Sequence, residues 1–222
     1  MSDWIPFFAL LAYLVVAVVL PTAILSLRQG RSAFVFHREA NPWQRAMGLG
    51  FFALFLGLVG WSLLQGLLGP ATLGVWPRPP AIAWLGAGLA LAGTAITLAA
   101  QRQMGASWRI GIDDRPTALV THGLYRWVRN PIFSGMLLSL AGFVLACPAW
   151  PTVAVWVVMM AGIVVQVRLE ERHLAGVHGE AWAAWARRTG RFLPPIGRMC
   201  CRAAEPPRRS GDAAPGLRSG KG

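Results

Sequence analysis

The fold class this sequence predicts is all-α: an integral membrane bundle of about five transmembrane helices with a cytoplasmic, C-terminal amphipathic helix. Three observations carry that expectation. The 222 residues are 55% hydrophobic and only 14% charged, against roughly 25% charged in an ordinary soluble domain. Five apolar runs stand out, most of them near the roughly 20 residues that cross a hydrocarbon layer. The basic residues fall in alternate loops, as the positive-inside rule requires of a membrane chain.

The first run, Trp4 to Leu27, has no basic residue before it and Arg28 and Arg31 behind it. That is the reverse of a cleaved leader, so the segment is expected to persist as a helix, kinked near Pro21. The second and third runs, Ala46 to Leu68 and Ala81 to Ala100, are separated by a Pro- and Gly-rich turn over residues 70–80. The fourth and fifth, Ile132 to Cys147 and Thr152 to Val167, are short and need tilt or local bilayer thinning to span. Only Pro148, Ala149, Trp150 and Pro151 separate them, so they form an antiparallel hairpin. Their inner ends then lie side by side, which brings Arg129 and Asn130 near Glu170 and Glu171. Gly135, Ser139, Gly142 and Ala146 make one small-residue stripe suited to close helix packing in lipid. Trp4, Trp43, Trp76, Trp127 and Trp150 fall near span ends, as interfacial anchors do. Beyond the fifth run, Leu174, Val177, Ala181 and Trp185 predict an amphipathic helix, with Arg187 and Arg188 in its last turn and Gly190 as its C-cap.

A net charge of +12 raises the question of nucleic acid. The positions of the 21 basic residues answer it: 20 fall in the first and third loops or after the fifth run, and only Arg78 lies elsewhere. This alternation implies an outside N-terminus and a cytoplasmic C-terminus, and makes nucleic-acid binding unnecessary. Arginine outnumbers lysine 20 to 1, a composition typical of GC-rich, bacterial coding, which points to a bacterial inner membrane. Cys147, Cys200 and Cys201 show neither metal nor redox spacing, and four scattered histidines add none. The Cys200–Cys201 pair reads as inert thiols, with palmitoylation the alternative.

Two polar clusters therefore meet at one membrane face. Pro131 suits a first helical turn and pushes Asn130 toward extended backbone. Arg126 and Arg129 suit a ligand carboxylate, and Tyr125 and Trp127 a ring or cation; lipid headgroups would satisfy the same residues. Arg168 and Glu171 are i, i+3 partners, a sufficient structural role for that glutamate, while Glu170 points about 100° away and can face a cavity.

The segment THGLYRWVRNPIFSG, ending at Gly135, resembles the GPYRYVRHPMYLG signature of the isoprenylcysteine carboxyl methyltransferase and phospholipid methyltransferase superfamily. EERHLAGVHGEAWAAWARRTGRFLP, from Glu170, resembles that superfamily's EExxL, FGxxYxxY and RxxP ending. Both occur in the family's order, and together they cover roughly residues 105–195. The resemblance implies an integral methyltransferase that uses S-adenosylmethionine as co-substrate, without a metal. It also implies a lipophilic or lipid-like acceptor, a carboxylate, amine or thiol, that arrives from the bilayer. It assigns cofactor contact to Tyr125, Arg129, Asn130, Pro131, Glu170 and Glu171, with backbone contacts from His122, Gly123 and Leu124. Arg188 and Arg191 are then expected to close the pocket, and Arg129, Asn130 and Glu171 form the catalytic group. Asn130 and Phe133 stand where the family's eukaryotic carboxyl methyltransferases show histidine and tyrosine, and Trp182 and Trp185 replace tyrosines. A base, if the acceptor needs one, would come from His122, His173 or Asp114. On this reading the chain divides into three N-terminal helices (1–104), a methyltransferase core (105–195) and a basic tail (196–222) whose Pro, Arg, Gly and Ser content argues for disorder. The rival class is a non-enzymatic membrane component, a transporter subunit or assembly partner, using the same arginines for headgroups and the same glutamates for local ion pairs.

Overall fold

The computed structural model of the protein describes residues 2–29, 42–105 and 118–197. Asp114, Cys200, Cys201 and the tail from residue 198 lie outside them. All extended regular structure among the described residues is helical, as a chain with apolar spans requires when its backbone polar groups must be satisfied within each segment. Four helices are long and apolar enough to cross a membrane, and a fifth, shorter apolar helix stands among them.

The first span runs Ile5–Leu27 and is interrupted as the proline predicts. An α-helix, α1 (Ile5–Tyr13), passes through a π segment, Leu14–Val19, into α2 (Leu20–Gln29). Pro21 carries no N–H, so the carbonyl of Ala17, four residues earlier, loses its helical donor. Gln101 replaces it from a neighbouring helix, its Nε2 donating to Ala17 O at 2.8 Å. The second span, α3 (Pro42–Leu68), is followed by a turn with Gly69 and Gly74 in the left-handed region. α4 (Pro80–Met104) starts on two prolines that suit a first turn and ends at Gly105 with φ +54°.

The shortest helix, α5 (Pro131–Ala146), packs most extensively on α4. The expected stripe on α5 meets a matching one on α4: Gly86, Ala90, Gly93 and Thr97 repeat the same spacing. A Cβ on Gly93 would strike the carbonyl of Gly135 and the side chain of Ser139, and one on Gly86 would lie 2.7 Å from the nitrogen of Ala146. Ser139 Oγ donates to Ala90 O at 2.9 Å, so the close approach is also hydrogen-bonded. At the opposite end, Cys147 Sγ donates to Gln65 Oε1 at 2.7 Å and Gln65 Nε2 to the carbonyl of Asp3 at 3.2 Å, tying three parts of the chain together.

The last helix, α6 (Trp150–Arg188), departs from expectation. The fifth span does not end at Val167 but continues as helix to the kink at Gly179, so the expected start of the amphipathic helix belongs to the span and only a short helical stretch follows the kink. The apolar stretch of α6 ends at Val167, and the helix breaks at Gly179, where φ is +53°. That break rotates the following turns. The anticipated stripe does not form the buried face: Val177 and Ala181 are exposed, whereas Trp182 and Ala186 are buried. Nor does Gly190 cap the helix. Thr189 leaves it in an extended conformation, and Gly190 is required because a Cβ there would collide with the carbonyl of Leu193.

Candidate active site

The site grows from the segment before α5. A 3-10 turn, Gly123–Arg126, opens on Gly123 at φ +58°, a conformation an L side chain rarely adopts. A Cβ there would also overlap the Gln103 side chain, whose Oε1 accepts from the Leu124 N–H at 2.8 Å. The chain then extends and pairs with the segment after α6. Arg129 N donates to Gly190 O at 2.8 Å, Gly190 N to Trp127 O at 3.0 Å, and Asn130 N to Arg191 O at 3.2 Å. Pro131 opens the first turn of α5, and Asn130 before it is neither helical nor in the extended conformation expected of it: at φ −125°, ψ 58° it turns the chain from the pairing into the helix.

Glu171 is the centre of the cluster. Its carboxylate is 7% exposed and accepts from three residues. Arg129 Nε and Asn130 Nδ2 reach Oε1 at 2.9 and 3.1 Å. Arg191 Nε and Nη2 reach Oε2 at 3.0 and 2.7 Å. Burial alone would raise its pKa, but the hydrogen bonds from Arg191 and Arg129, with their charges, hold it below the ordinary carboxylate range. The i, i+3 pair with Arg168 does not form; Arg168 is exposed, and two arginines distant in sequence take its place.

Arg129 is itself almost wholly consumed. Besides Glu171, its guanidinium donates to Ala186 O (2.9 Å), Thr189 O (2.6 Å) and Gly197 O (2.8 Å). The first is an unsatisfied carbonyl of the last turn of α6 and the second its cap residue, where the helix presents its negative pole. One planar fork thus joins the hairpin, the end of α6 and the segment beyond it.

Other polar groups in the same stretches of chain lack such partners. Among the described residues, Glu170 makes no hydrogen bond or ion pair. The Tyr125 hydroxyl, Trp182 Nε1 and His178 Nε2 are buried atoms with no hydrogen-bond partner. Burial, and then the charge on Glu171, push the Glu170 carboxyl up to about 7. Burial, and then the Glu170 charge, raise the Tyr125 phenol, which places the two groups in one electrostatic neighbourhood. A buried polar atom left unpaired costs about 1–3 kcal/mol, so such groups are where a polar ligand would be recognised. The Tyr125 backbone is fixed from α6, its carbonyl accepting from Trp185 Nε1 at 3.0 Å.

The structure therefore brings together Tyr125, Arg129, Asn130, Pro131, Glu170, Glu171 and Arg191 of the residues expected from sequence. Gly123 and Leu124 form the supporting turn. His122 is exposed, and Arg188 is exposed and does not join the cluster. Sequence reasoning missed Gln103, Thr189 and Gly197. Gln103 alone had a visible signal, a polar side chain in the last turn of an apolar helix. No three His, Cys, Asp or Glu among the described residues gather to hold a metal.

Residues 81–181 match the family model of phospholipid methyltransferases, a range that holds α4, α5, Tyr125, Arg129 and both glutamates but stops before Arg191. No curated protein matches the chain. Among solved structures, the eukaryotic intramembrane Ras methyltransferase ICMT (isoprenylcysteine carboxyl methyltransferase) shares the fold with a TM-score of 0.54 at 19% identity. The similarity covers 86% of this chain and 64% of that one, so this chain spans somewhat less than two thirds of its neighbour's length. The phospholipid methyltransferase model thus lies over the helices that build the site, across somewhat less than half of the chain, and the solved methyltransferase shares the fold.

Proposed function

We propose that this protein transfers a methyl group from S-adenosylmethionine to a small lipophilic or lipid-like acceptor at the cytoplasmic face of a bacterial inner membrane. The observation that carries the reading is the pairing of a fully bonded Glu171 with an adjacent Glu170 that has no partner. One carboxylate builds the site, and the other is left for a ligand.

The donor supplies a methyl group on an activated sulfonium, which leaves by in-line displacement, so alignment and exclusion of water account for much of the catalysis. Glu170 suits the ribose diol or the cationic centre, and the buried Tyr125 hydroxyl, which feels the charge of Glu170, offers a donor to the same ligand. Arg191, its side chain 32% exposed, keeps a face for the amino-acid carboxylate. Arg129, Asn130 and Glu171 act as positioning residues, because their hydrogen-bonding groups are spent within the protein. A carboxylate acceptor is ionised near neutral pH and needs no base, whereas an amine or thiol must first lose a proton. The site face lies in the cytoplasm because the basic residues gather at that end of the helices.

Calorimetric titration with S-adenosylhomocysteine tests the reading on Glu170→Gln, which leaves the Arg129–Glu171–Arg191 cluster intact. A hydrogen bond to a charged group is worth about 1.5–3 kcal/mol, so binding should weaken about 10- to 100-fold. Wild-type affinity should also fall as pH drops through about 7, where Glu170 takes up a proton, and the variant should lose that dependence. Equal binding by both proteins, or no binding by folded wild type, would shift the assignment to a non-enzymatic membrane component.

A further inference from the structure

The chain after α6 makes a hook that the methyl-transfer reading does not use. Arg191 N donates to Ile196 O at 2.8 Å and closes a loop whose tip is Phe192, Leu193, Pro194, Pro195 and Ile196, five residues without a charge. Leu193 is 58% exposed and Ile196 65%. In water that tip would be an unexplained apolar projection.

Its attachment places it at a membrane boundary. Ser134 Oγ, in the first turn of α5, donates to Phe192 O at 2.7 Å, so the base of the hook rests on the end of a span. That helix has 16 residues and is about 24 Å long, against about 30 Å of hydrocarbon. At its far end the chain is held at the other interface by Trp76 and Trp150, exposed rings that meet edge to face with centroids 5.2 Å apart. With that end pinned, the Pro131 end would fall about 6 Å short of the hydrocarbon edge, and the apolar hook is attached at that end. The neighbouring Trp127 is 60% exposed with Arg126 stacked on it at 5.4 Å, a pair suited to headgroup depth.

We infer that the hook is a lipid-contacting element: Leu193 and Ile196 insert among the acyl chains of the leaflet on the site face and complete the short span of α5. The hook is also tied to the site, since Arg191 at its base holds Glu171 and Gly197 at its far end accepts from Arg129. Lipid contact thus holds Arg191 at a set depth. This inference does not depend on methyl transfer.

Nitroxide labels on Leu193→Cys and Ile196→Cys test it in phosphatidylcholine–phosphatidylglycerol liposomes, using the full chain with Cys200 and Cys201 changed to Ser. Cys147 is buried and stays unlabelled. The reference label is Glu180→Cys on the exposed part of α6. At both hook positions the ratio of oxygen collisions to those of a water-soluble nickel chelate should be several-fold above that at the reference. A nickel-dominated signal would put the hook in water and overturn the inference. Protection from both relaxers would overturn it too, with spin–spin broadening identifying a second copy as the cover. Both hook side chains are exposed, so each substitution spares the packed interior. If one labelled protein has a lowered unfolding midpoint, the other carries the test.

Discussion

Arg129→Ala is expected to lower stability by about 3 kcal/mol, the scale of breaking a buried ion pair, through the loss of four hydrogen-bonded partners at once. Glu171 would keep Arg191 and Asn130 but lose its most buried cation, and the carbonyls of Ala186, Thr189 and Gly197 would lose their shared donor. Arg129→Lys should recover only part of the loss, because an ammonium cannot span four acceptors arranged around a planar fork. Thermal unfolding in detergent measures both variants. A midpoint for Arg129→Ala equal to that of wild type would mean that the cluster does not hold the end of α6. The same pair sets an acid limit with a definite sign. Glu171 titrates lower in the folded state than its unfolded value of about 4.3. The folded protein therefore binds fewer protons, and the contribution is complete above that value and lost as pH falls through the folded-state pKa. Wild type should lose stability below about pH 4, and Arg129→Ala should show a shallower acid loss.

Gly93→Leu is expected to produce the second large effect. Overpacking a well-packed interface costs about 1–3 kcal/mol, and here the new side chain would meet backbone of α5, with the Ser139 nitrogen 2.6 Å from the Cβ. The helices must separate. Because α5 starts directly after Asn130 and carries Ser134 at its site end, binding of S-adenosylhomocysteine should weaken along with stability. Gly88→Leu on the same helix is the control: its Cβ would have nothing within 4 Å, so its unfolding midpoint should match wild type. Equal midpoints for both substitutions would show that the α4–α5 contact is not close-packed.

Much of this architecture was legible in the residues. Three residues separate α5 from α6, and that alone forces the hairpin and delivers Arg129 to Glu171. The small-residue stripe on α5 was equally plain, although its twin on α4, Gly86, Ala90, Gly93 and Thr97, carried the same spacing and was not singled out. The partners of Glu171 were harder to read. Local spacing offered Arg168, but burial selected Arg129 and Arg191, which reach the carboxylate only because the chain breaks at Gly179 and returns after Thr189. A face drawn on one straight helix through Leu174, Val177, Ala181 and Trp185 cannot survive that break. Glu170 shows the reverse case: its departure from the face of Glu171 followed from helix geometry alone, and the structure leaves it without a partner.

In the proposed function Glu171 builds the site and Glu170 meets the ligand, and that division sets the choice of variant. Loss of binding in Glu171→Ala would be explained by a collapsed site as readily as by a lost contact, whereas Glu170→Gln removes a charge from a site that remains assembled.

The most direct test of the account is transfer itself. Membranes from cells expressing the full chain would be incubated with S-adenosylmethionine labelled in its methyl group, and label recovered in the organic-solvent extract would be counted. The account predicts extractable label well above that from membranes carrying Glu170→Gln at equal abundance. Equal label from wild type and variant, in membranes where both proteins are folded, would contradict it.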